Sequence, residues 1–186
     1  MKKLLGILAL AALAAIPAKA QSWDTRGEVG GGYTFRMWNF DGSQYNSNGW
    51  NATVSYDVNR WLTAAADFDG TYSNQGENGS GWLETFMGGP RIYPIGHHKI
   101  SPFVHALFGG DHASISVPDC DDEGDSCKYS DTTFAFEAGG GIDLNLTRHI
   151  AVRAIEADWE DTRVFGGFEI PAQNNFKYKA AILFKF

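Results

Sequence analysis

Apolar and polar side chains alternate along the last stretch of the chain, residues 174–186. One face carries Phe176, Tyr178, Ala180, Ile182, Phe184 and Phe186, and the other carries Asn175, Lys177, Lys179, Ala181, Leu183 and Lys185. Alternation of this kind predicts a β-strand. An apolar, aromatic-edged face opposite a lysine-bearing face is typical of a strand between lipid and a polar interior. A soluble barrel would normally have the reverse arrangement.

The same alternation predicts seven further strands upstream. They fall within residues 28–37, 50–58, 62–72, 82–93, 102–111, 133–145 and 150–160. In the fourth strand, Glu84 shares the outward parity, so we expect it at the rim or beside a bulge. In the seventh strand, Arg153 and the acids Glu156 and Asp158 can all point inward only if one extra residue intervenes. We therefore predict a β-bulge around Ala154-Ile155.

The predicted links alternate in length. Long polar links follow the first, third, fifth and seventh strands, at residues 39–48, 73–80, 112–130 and 161–172, and short turns follow the others. This asymmetry is expected when one barrel end bears extracellular loops and the other bears periplasmic turns. Aromatic residues near the strand ends predict two interfacial girdles. These are Trp50, Tyr72, Trp82 and Trp159 on the loop side, and Trp61 and Tyr93 on the turn side.

The first twenty residues have the features of a secretory signal. Met1-Lys2-Lys3 precedes an uncharged apolar run, and Ala18-Lys19-Ala20 ends it in a small-x-small pattern. The apolar run is too short for a spanning helix. We predict a cleavable signal peptide over residues 1–20 and one β-barrel domain over residues 21–186. Position 21 is Gln, so a lipoprotein anchor on that residue is not available.

The charge balance limits the partners. The chain has 15 Lys and Arg against 22 Asp and Glu, and removal of Lys2, Lys3 and Lys19 leaves 12 against 22, a formal charge near −10. Such a balance disfavours nucleic acid as a partner. The mature part contains no apolar run long enough for a transmembrane helix. Only a closed barrel would then satisfy its backbone hydrogen bonds in lipid.

These features together predict an all-β fold, a closed eight-stranded antiparallel up-and-down transmembrane β-barrel. The terminal residues Tyr178, Ile182, Phe184 and Phe186 resemble the C-terminal signal of bacterial outer-membrane barrels. The whole mature chain resembles the small OmpA/OmpX-type barrels, in a version without a peptidoglycan-binding domain. The resemblance implies insertion by the barrel-assembly machinery and residence as a monomer among outer-membrane lipids and lipopolysaccharide. It implies no cofactor and names no activity.

Charged residues are predicted to line the barrel interior. They are Glu28, Arg36, Asp67, Asp69, Arg91, His105, Glu137, Arg153, Glu156, Asp158, Lys177 and Lys179. Eight strands enclose a space that side chains just fill, and buried charges must be paired. The sequence therefore predicts a plug of ion pairs. The alternative is a narrow gated pore, opened when Arg153 exchanges partners such as Glu137 and Glu156.

Two cysteines lie in the longest link. Cys120 and Cys127 follow an export signal, which predicts a disulfide between them. Asp119, Asp121 and Glu123 beside them occupy the first, third and fifth positions of a calcium-loop pattern. Its twelfth position is Ser130 and no helix flanks it, so we predict a solvated acidic loop and no metal site, with weak divalent binding as the alternative.

The sequence favours a non-enzymatic role: four polar extracellular loops that support envelope integrity and bind or adhere to an unknown extracellular ligand. A narrow pore for small ions or solutes is the second candidate. An enzyme acting on lipid A or phospholipid is the third, because His112-Ala113-Ser114 offers a base two residues from a hydroxyl. That pair falls in a predicted loop without a neighbouring motif. A soluble lipocalin-like barrel is a further alternative.

Overall fold

Eight antiparallel strands, each hydrogen-bonded to the next in chain order, close into one barrel. The structure is a computed structural model and describes residues 25–40, 43–74, 80–117, 127–164 and 173–186. The strands are β1 Gly27–Phe40, β2 Ser43–Asp57, β3 Leu62–Asn74, β4 Ser80–Ile92, β5 Ile100–Val117, β6 Cys127–Asn145, β7 Ile150–Thr162 and β8 Gln173–Lys185. The predicted up-and-down barrel is confirmed. The described residues include no helix long and apolar enough to cross a bilayer.

The barrel closes between the first and last strands. Phe184 of β8 lies opposite Val29 of β1, and the ladder continues to Met37 and Phe176. At the turn end of this ladder, Gly27 N donates a hydrogen bond of 2.9 Å to Phe186 O, and Phe186 N donates one of 2.8 Å to Gly27 O. Closure pairs the two strands that would otherwise be edges. The C-terminal residue therefore takes part directly in sealing the sheet, at the end that carries the short turns.

The two faces of the wall have opposite chemistry. Phe134 and Phe184 are 66% and 54% exposed on the outer face, whereas Arg36, Arg91 and Lys177 are 0% exposed inside. In a water-soluble protein, large apolar side chains are the ones buried and charged ones are almost never fully buried. Lipid outside the wall and a polar core inside it account for the inversion.

The girdle prediction holds in part. Trp50 and Tyr72 on the loop side and Trp61 on the turn side are exposed on the outer face. Tyr93 was wrongly assigned to the turn-side girdle, because it is only 2% exposed. It shares the inward parity of Arg91, and its N–H still extends the ladder by donating to Trp61 O at 2.9 Å. Tyr93 therefore belongs to the interior.

Two of the predicted long links are largely strand. β2 begins at Ser43, so the hairpin with β1 continues to the Phe40–Ser43 pair. The β5–β6 ladder likewise continues to the Val117–Cys127 pair. The predicted links at 39–48 and 112–130 are wrong to this extent. Beyond the bilayer neither face of a strand must be apolar, so polar residues that suggest a loop continue the ladder instead.

The predicted bulge in β7 is confirmed. Toward β6, Arg153 opposes Asp143 and Ile155 opposes Ile142, which leaves Ala154 as the extra residue. The register toward β8 shifts between Arg153 and Glu156 as well. An extra residue restores the inward direction of the side chains that follow it. Arg153 and Glu156 are therefore both buried.

β4 contains no bulge. Its register with β3 is unbroken from Leu62–Ile92 to Asn74–Ser80, and Glu84 lies opposite Gly70 of β3 and His112 of β5. Glu84 therefore faces outward beyond Phe86, towards the loop end. Of the two placements expected for this acid, the structure has the one at the rim.

Candidate functional site

The barrel interior is the densest collection of charged groups in the described part of the chain. All twelve charged residues assigned to it from the sequence are buried, with exposures from 0% for Glu137 to 7% for Glu28. Asp111, Asp143 and Glu160 are buried there as well and were not among the twelve. Strand parity could have found all three, because Glu160 lies two residues after Asp158 and the other two alternate correctly along β5 and β6.

A loop-side cluster is built around Arg36 and Lys177. Arg36 Nη2 donates a hydrogen bond of 2.8 Å to Thr85 Oγ1 and lies 3.3 Å from Glu160 Oε2. Lys177 Nζ lies 2.6 Å from the same Glu160 oxygen and 3.0 Å from Asp69 Oδ2, and it also contacts Glu137. Two cations thus share one carboxylate, and one ammonium joins acids from β3, β6 and β7.

A central cluster surrounds Lys179. Its Nζ lies 2.9 Å from Glu137 Oε1, 3.1 Å from Asp158 Oδ2 and 3.2 Å from Glu156 Oε1. His105 Nε2 lies 3.0 Å from Asp158 Oδ1 and 3.6 Å from Glu137 Oε1. The central cluster shares Glu137 with the loop-side cluster, so the two form one network.

A turn-side cluster is centred on Arg153. Its Nε and Nη2 donate to both oxygens of Asp143, at 2.9 and 3.2 Å, and its Nη1 donates to Glu156 Oε2 at 2.7 Å. Tyr93 donates to Asp143 Oδ2 at 2.8 Å. The guanidinium carbon of Arg153 lies 4.5 Å from the centre of the Phe103 ring, within cation–π range. The two N–H donors of Arg153 on the two oxygens of Asp143 form a bidentate, charge-assisted pair, which is among the stronger forms of ion pairing.

The buried charges do not balance. The described interior holds nine carboxylates, on Glu28, Asp67, Asp69, Asp111, Glu137, Asp143, Glu156, Asp158 and Glu160. Against them stand five Lys and Arg side chains, on Arg36, Arg91, Arg153, Lys177 and Lys179, together with His105. Among the described residues, no Lys or Arg nitrogen lies within ion-pair distance of Asp111, whose neighbour across the β4–β5 ladder is Thr85. Acid is therefore in excess inside the barrel.

One part of the network has the donor set of a metal site. His105, Glu137, Glu156 and Asp158 each offer a ligand atom, and these atoms lie within 4.8 Å of one another. Lys179 Nζ already lies within 3.2 Å of an oxygen of each of the three acids. A lysine ammonium at this point supplies the positive charge that a divalent ion would supply, so the arrangement favours an internal ion pair over a metal centre.

Apolar side chains occupy the remaining interior. Leu83, Ala113 and Val164 form a cluster near the loop end, with Trp38 and Ile115 packed against it. A second cluster contains Ala65, Met87, Leu107 and Ala135, and a third contains Ala151, Ala181 and Leu183. Charged networks and apolar clusters both line the inside of the barrel, and an eight-stranded barrel is just wide enough for side chains to fill.

His112 and Ser114 lie in β5 and not in a loop, which corrects the sequence-based placement. His112 Nδ1 lies 2.6 Å from Thr132 Oγ1, and its ring centre is 5.2 Å from that of Trp82. Ser114 is 2% exposed, and its Oγ has no hydrogen-bond partner within the described ranges. A nucleophile needs a base within hydrogen-bond reach. His112 therefore contacts Thr132, and it does not form the base–hydroxyl pair with Ser114 that the sequence suggested.

The remaining predicted sites divide between described and undescribed residues. Tyr178, Ile182, Phe184 and Phe186 are 40–54% exposed on the outer face of β8 and at its end. Their part in barrel assembly stays a prediction. Cys127 opens β6, whereas Cys120 and the acidic residues at 119–125 lie outside the described residues, as do residues 1–20. The disulfide, the acidic loop and the signal peptide therefore also stay predictions.

Comparison with known proteins agrees with this architecture. Residues 6–183 match the family described as outer membrane protein beta-barrel domain. Ail, the attachment invasion locus protein of Yersinia pestis, superposes with a TM-score of 0.66 at 18% identity, over 88% of this chain and 99% of its own. Neisserial surface protein A superposes with a TM-score of 0.67 at 13% identity, over 86% and 97%. No curated protein sequence matches the chain.

A third solved structure extends the set. The outer membrane protein OprG from Pseudomonas aeruginosa superposes with a TM-score of 0.53 at 10% identity, over 89% of this chain and 99% of its own. At these identities the superpositions establish the fold alone, whereas the family match covers nearly the whole sequence. The chain therefore belongs to the outer membrane protein beta-barrel domain family, and it is an integral barrel of the bacterial outer membrane.

Proposed function

We propose that the protein is a non-enzymatic surface barrel that binds an extracellular ligand through its loop-end hairpins and supports the integrity of the envelope. The observation that carries this proposal is how far two hairpins extend at the loop end beyond a neighbouring ladder. The β5–β6 ladder runs to Val117–Cys127, whereas the β6–β7 ladder ends at Ala135–Thr162. The β1–β2 ladder runs to Phe40–Ser43, beyond the last β1–β8 pair at Met37–Phe176.

These two hairpins lie on opposite sides of the barrel, because β1 and β2 are separated from β5 and β6 by two strands in each direction. The exposed side chains of these extensions include Gln44, Asn46 and Asn48 in β2 and Lys128 and Ser130 in β6. Hydrogen-bonded strands hold a binding surface more rigidly than free loops, which lowers the entropy cost of binding. A rigid polar surface on either side of the barrel mouth suits a macromolecular ligand.

Two solved structures of one protein, Ail, support the class of function, not the ligand. Ail is named for attachment and invasion, and one Ail structure holds the heparin analogue sucrose octasulfate. In this chain, residues 118–126 contain five acids and no Lys or Arg. Such a segment repels sulfated polyanions. The extracellular ligand proposed here is therefore neutral or basic on its contact surface. Lipopolysaccharide and outer-membrane lipids are proposed as partners within the membrane, and the barrel-assembly machinery as a partner during biogenesis.

The experiment compares surface binding by the intact barrel and by a variant with a shortened β5–β6 hairpin, in which an Asn-Gly turn replaces residues 114–130. Outer-membrane vesicles carrying either barrel are applied to host cells and to immobilised matrix proteins. The shortened variant should lose most of the binding while it keeps its heat-modifiable gel migration. Equal binding by both kinds of vesicle would contradict the proposal that the β5–β6 hairpin binds the ligand.

A narrow pore is the second candidate. The observation in its favour is that Arg153 and Lys177 each contact more than one carboxylate, so that partner exchange could rearrange the interior. Side chains that fill the narrow interior of an eight-stranded barrel would keep it closed. We expect no reproducible channels from pure refolded protein in a planar bilayer. Reproducible, cation-selective steps would favour the pore over the closed barrel, because the interior is rich in acid.

An enzyme acting on lipid A or phospholipid is the third candidate. Because His112 contacts Thr132 and not Ser114, we expect no loss of lipid A acyl chains when the protein is expressed. Mass spectrometry of extracted lipid A measures this directly. Loss of acyl chains that disappears with His112→Ala would promote the enzyme to first place.

A further inference from the structure

A cavity of about 340 Å³ opens at the turn end of the barrel, opposite the end that the proposed ligand would use. Its wall is formed by the residues before β1, the β2–β3 turn, the β4–β5 turn and the end of β8. The residues are Thr25, Arg26, Asp57, Val58, Asn59, Arg60, His97 and Lys185. With extracellular loops at the opposite end, this mouth faces the periplasm.

Positive charge dominates the wall of this cavity. Arg26, Arg60 and Lys185 are permanent cations, and Asp57 is the one carboxylate among the lining residues. Both oxygens of the Asp57 carboxylate already contact other residues. Its Oδ1 accepts a hydrogen bond of 2.6 Å from Thr63 Oγ1, and its Oδ2 lies 3.4 Å from His97 Nε2. Neither of these contacts involves Arg60, and no ion pair joins Arg60 to Asp57.

Hydrogen bonds hold the turn that carries Arg60 and the side chain of Lys185. Asn59 Oδ1 accepts the N–H groups of Trp61 at 3.0 Å and Leu62 at 2.9 Å, which fixes the turn that presents Arg60. Within the described ranges, Arg60 has no carboxylate at ion-pair distance. Lys185 Nζ donates to Asn145 Oδ1 at 2.6 Å, and it lies 3.6 Å from Glu28 Oε2. Arg60 therefore projects from a fixed turn as an exposed side chain, and Lys185 is held by Asn145 beside the same cavity.

The apolar residues around the cavity place it at the membrane surface. Val58 and Trp61, on the same turn as Arg60, are 55% and 49% exposed. Tryptophan at a barrel end marks the level of the lipid headgroups. The interior above the cavity is rich in carboxylates, which repel an anion that moves further inward. An anion attracted to this cavity would therefore stay at its mouth, beside the phospholipids of the periplasmic leaflet.

We propose that this cavity is a binding site for a phosphate group, supplied either by a phospholipid headgroup of the periplasmic leaflet or by free periplasmic phosphate. A guanidinium offers a planar pair of N–H donors to two phosphate oxygens, and an ammonium adds a point charge. Arg60 and Arg26 supply the first kind of contact and Lys185 supplies the second. The site is independent of the extracellular hairpins.

The test uses the mature barrel refolded in maltoside micelles, titrated with inorganic phosphate by calorimetry. Arg60→Gln should weaken phosphate binding roughly tenfold, since loss of one charge-assisted hydrogen bond has about that effect. Arg148→Gln is the matched control, because it removes the same charge from the β6–β7 turn at the same end and does not line the cavity. Heat-modifiable migration verifies that each variant is folded.

A second arm separates the two sources of phosphate. The barrel is reconstituted in phosphatidylcholine nanodiscs with and without phosphatidylglycerol, and the lipid that stays bound is counted by native mass spectrometry. Phosphatidylglycerol retained by the native barrel and by Arg148→Gln, but lost in Arg60→Gln, identifies a headgroup site. Phosphate binding without lipid retention identifies a free-phosphate site. Absence of both, or equal weakening by Arg60→Gln and Arg148→Gln, overturns the proposal.

Discussion

Arg36 Nη2 donates a hydrogen bond of 2.8 Å to Thr85 Oγ1, although Arg36 belongs to β1 and Thr85 to β4. In an eight-stranded barrel these strands lie nearly opposite each other, so the arginine side chain crosses the interior. The same nitrogen lies 3.3 Å from Glu160 of β7. One guanidinium therefore links three strands of the wall, and we expect the stability of the barrel to depend on contacts through its centre as well as around its circumference.

Replacement of this arginine tests that dependence. Arg36→Met should destabilise the barrel by about 3–5 kcal/mol, because it removes a partner of the buried Glu160 and leaves a carboxylate less compensated. The measurement is urea unfolding in lipid vesicles, followed by heat-modifiable migration. Arg148→Met in the β6–β7 turn is the control and should change stability by less than about 1 kcal/mol, as exposed charges do. Equal effects of the two changes would contradict the bracing role.

The excess of buried acid leads to a second prediction. Asp111→Asn should leave stability unchanged or raise it by about 1 kcal/mol, because it removes one surplus charge that has no ion-pair partner among the described residues, and an amide can still accept a hydrogen bond from Thr85 opposite it. Asp143→Asn should lower stability by about 3 kcal/mol, because Asp143 pairs with Arg153 and Tyr93. The same unfolding assay measures both variants. A larger loss for Asp111→Asn would show that the surplus charge is needed.

Strand parity was enough to place the interior residues, because in a barrel each side chain has only two directions. It would also have placed Glu160 and Tyr93, which lie two residues beyond inward-facing neighbours. Tyr93 was misassigned because an aromatic residue near a strand end was taken as interfacial without its parity. Parity cannot specify which carboxylate meets Lys177, because several lie within reach across the lumen and the choice depends on strand stagger.

The height of the hairpins could not be predicted from the sequence. Residues 43–49 contain Gln, Asn, Ser and Gly, a composition that is typical of loops, and yet all of them lie in β2. Within the bilayer, alternation reveals a strand because lipid requires apolar side chains on one face. Outside it, both faces can be polar and the signal disappears. The site proposed for the extracellular ligand lies in this part of the structure.

Close strand contact leads to a third prediction. A Cβ built on Gly49 would lie 1.7 Å from Gly70 O, a backbone atom, whereas one built on Gly81 would be 3.5 Å from its nearest neighbour. Gly49→Ala should therefore destabilise the barrel by at least ~2 kcal/mol, since backbone must shift to admit the methyl group. Gly81→Ala should be nearly neutral. Similar unfolding midpoints for the two variants would contradict the β2–β3 geometry.

The lipid-facing wall provides a fourth prediction. Ala180 lies on the outer face of β8, midway between Phe176 and Phe184. Ala180→Arg should cost about 2–4 kcal/mol near the bilayer midplane, whereas Asn174→Arg, on the same face at the loop end, should cost about 0–1 kcal/mol. Unfolding from vesicles measures both. A cost that does not depend on position along β8 would contradict the membrane placement of the strand.

The bulge in β7 sets up the last prediction. Arg153 and Glu156 both face inward although they are three positions apart, because Ala154 is an extra residue in the ladder. If Ala154 were absent, Arg153, Ile155 and Glu156 would oppose Ala181, Ala180 and Lys179 one to one, since the present register pairs Arg153 with Ala181 and Glu156 with Lys179. The ladder would then be regular, with both charged side chains still directed inward.

Deletion of Ala154 should therefore be tolerated, with a change in stability within about 1 kcal/mol, because a bulge disrupts only the local ladder. Deletion of Ala157, also an outward-facing alanine of β7, is the matched control. It removes a residue from a regular stretch, so either Glu156 or Asp158 must turn towards lipid, and the barrel should fail to fold. Heat-modifiable migration distinguishes the outcomes. If both deletions prevented folding, the bulge would be required for more than the direction of these side chains.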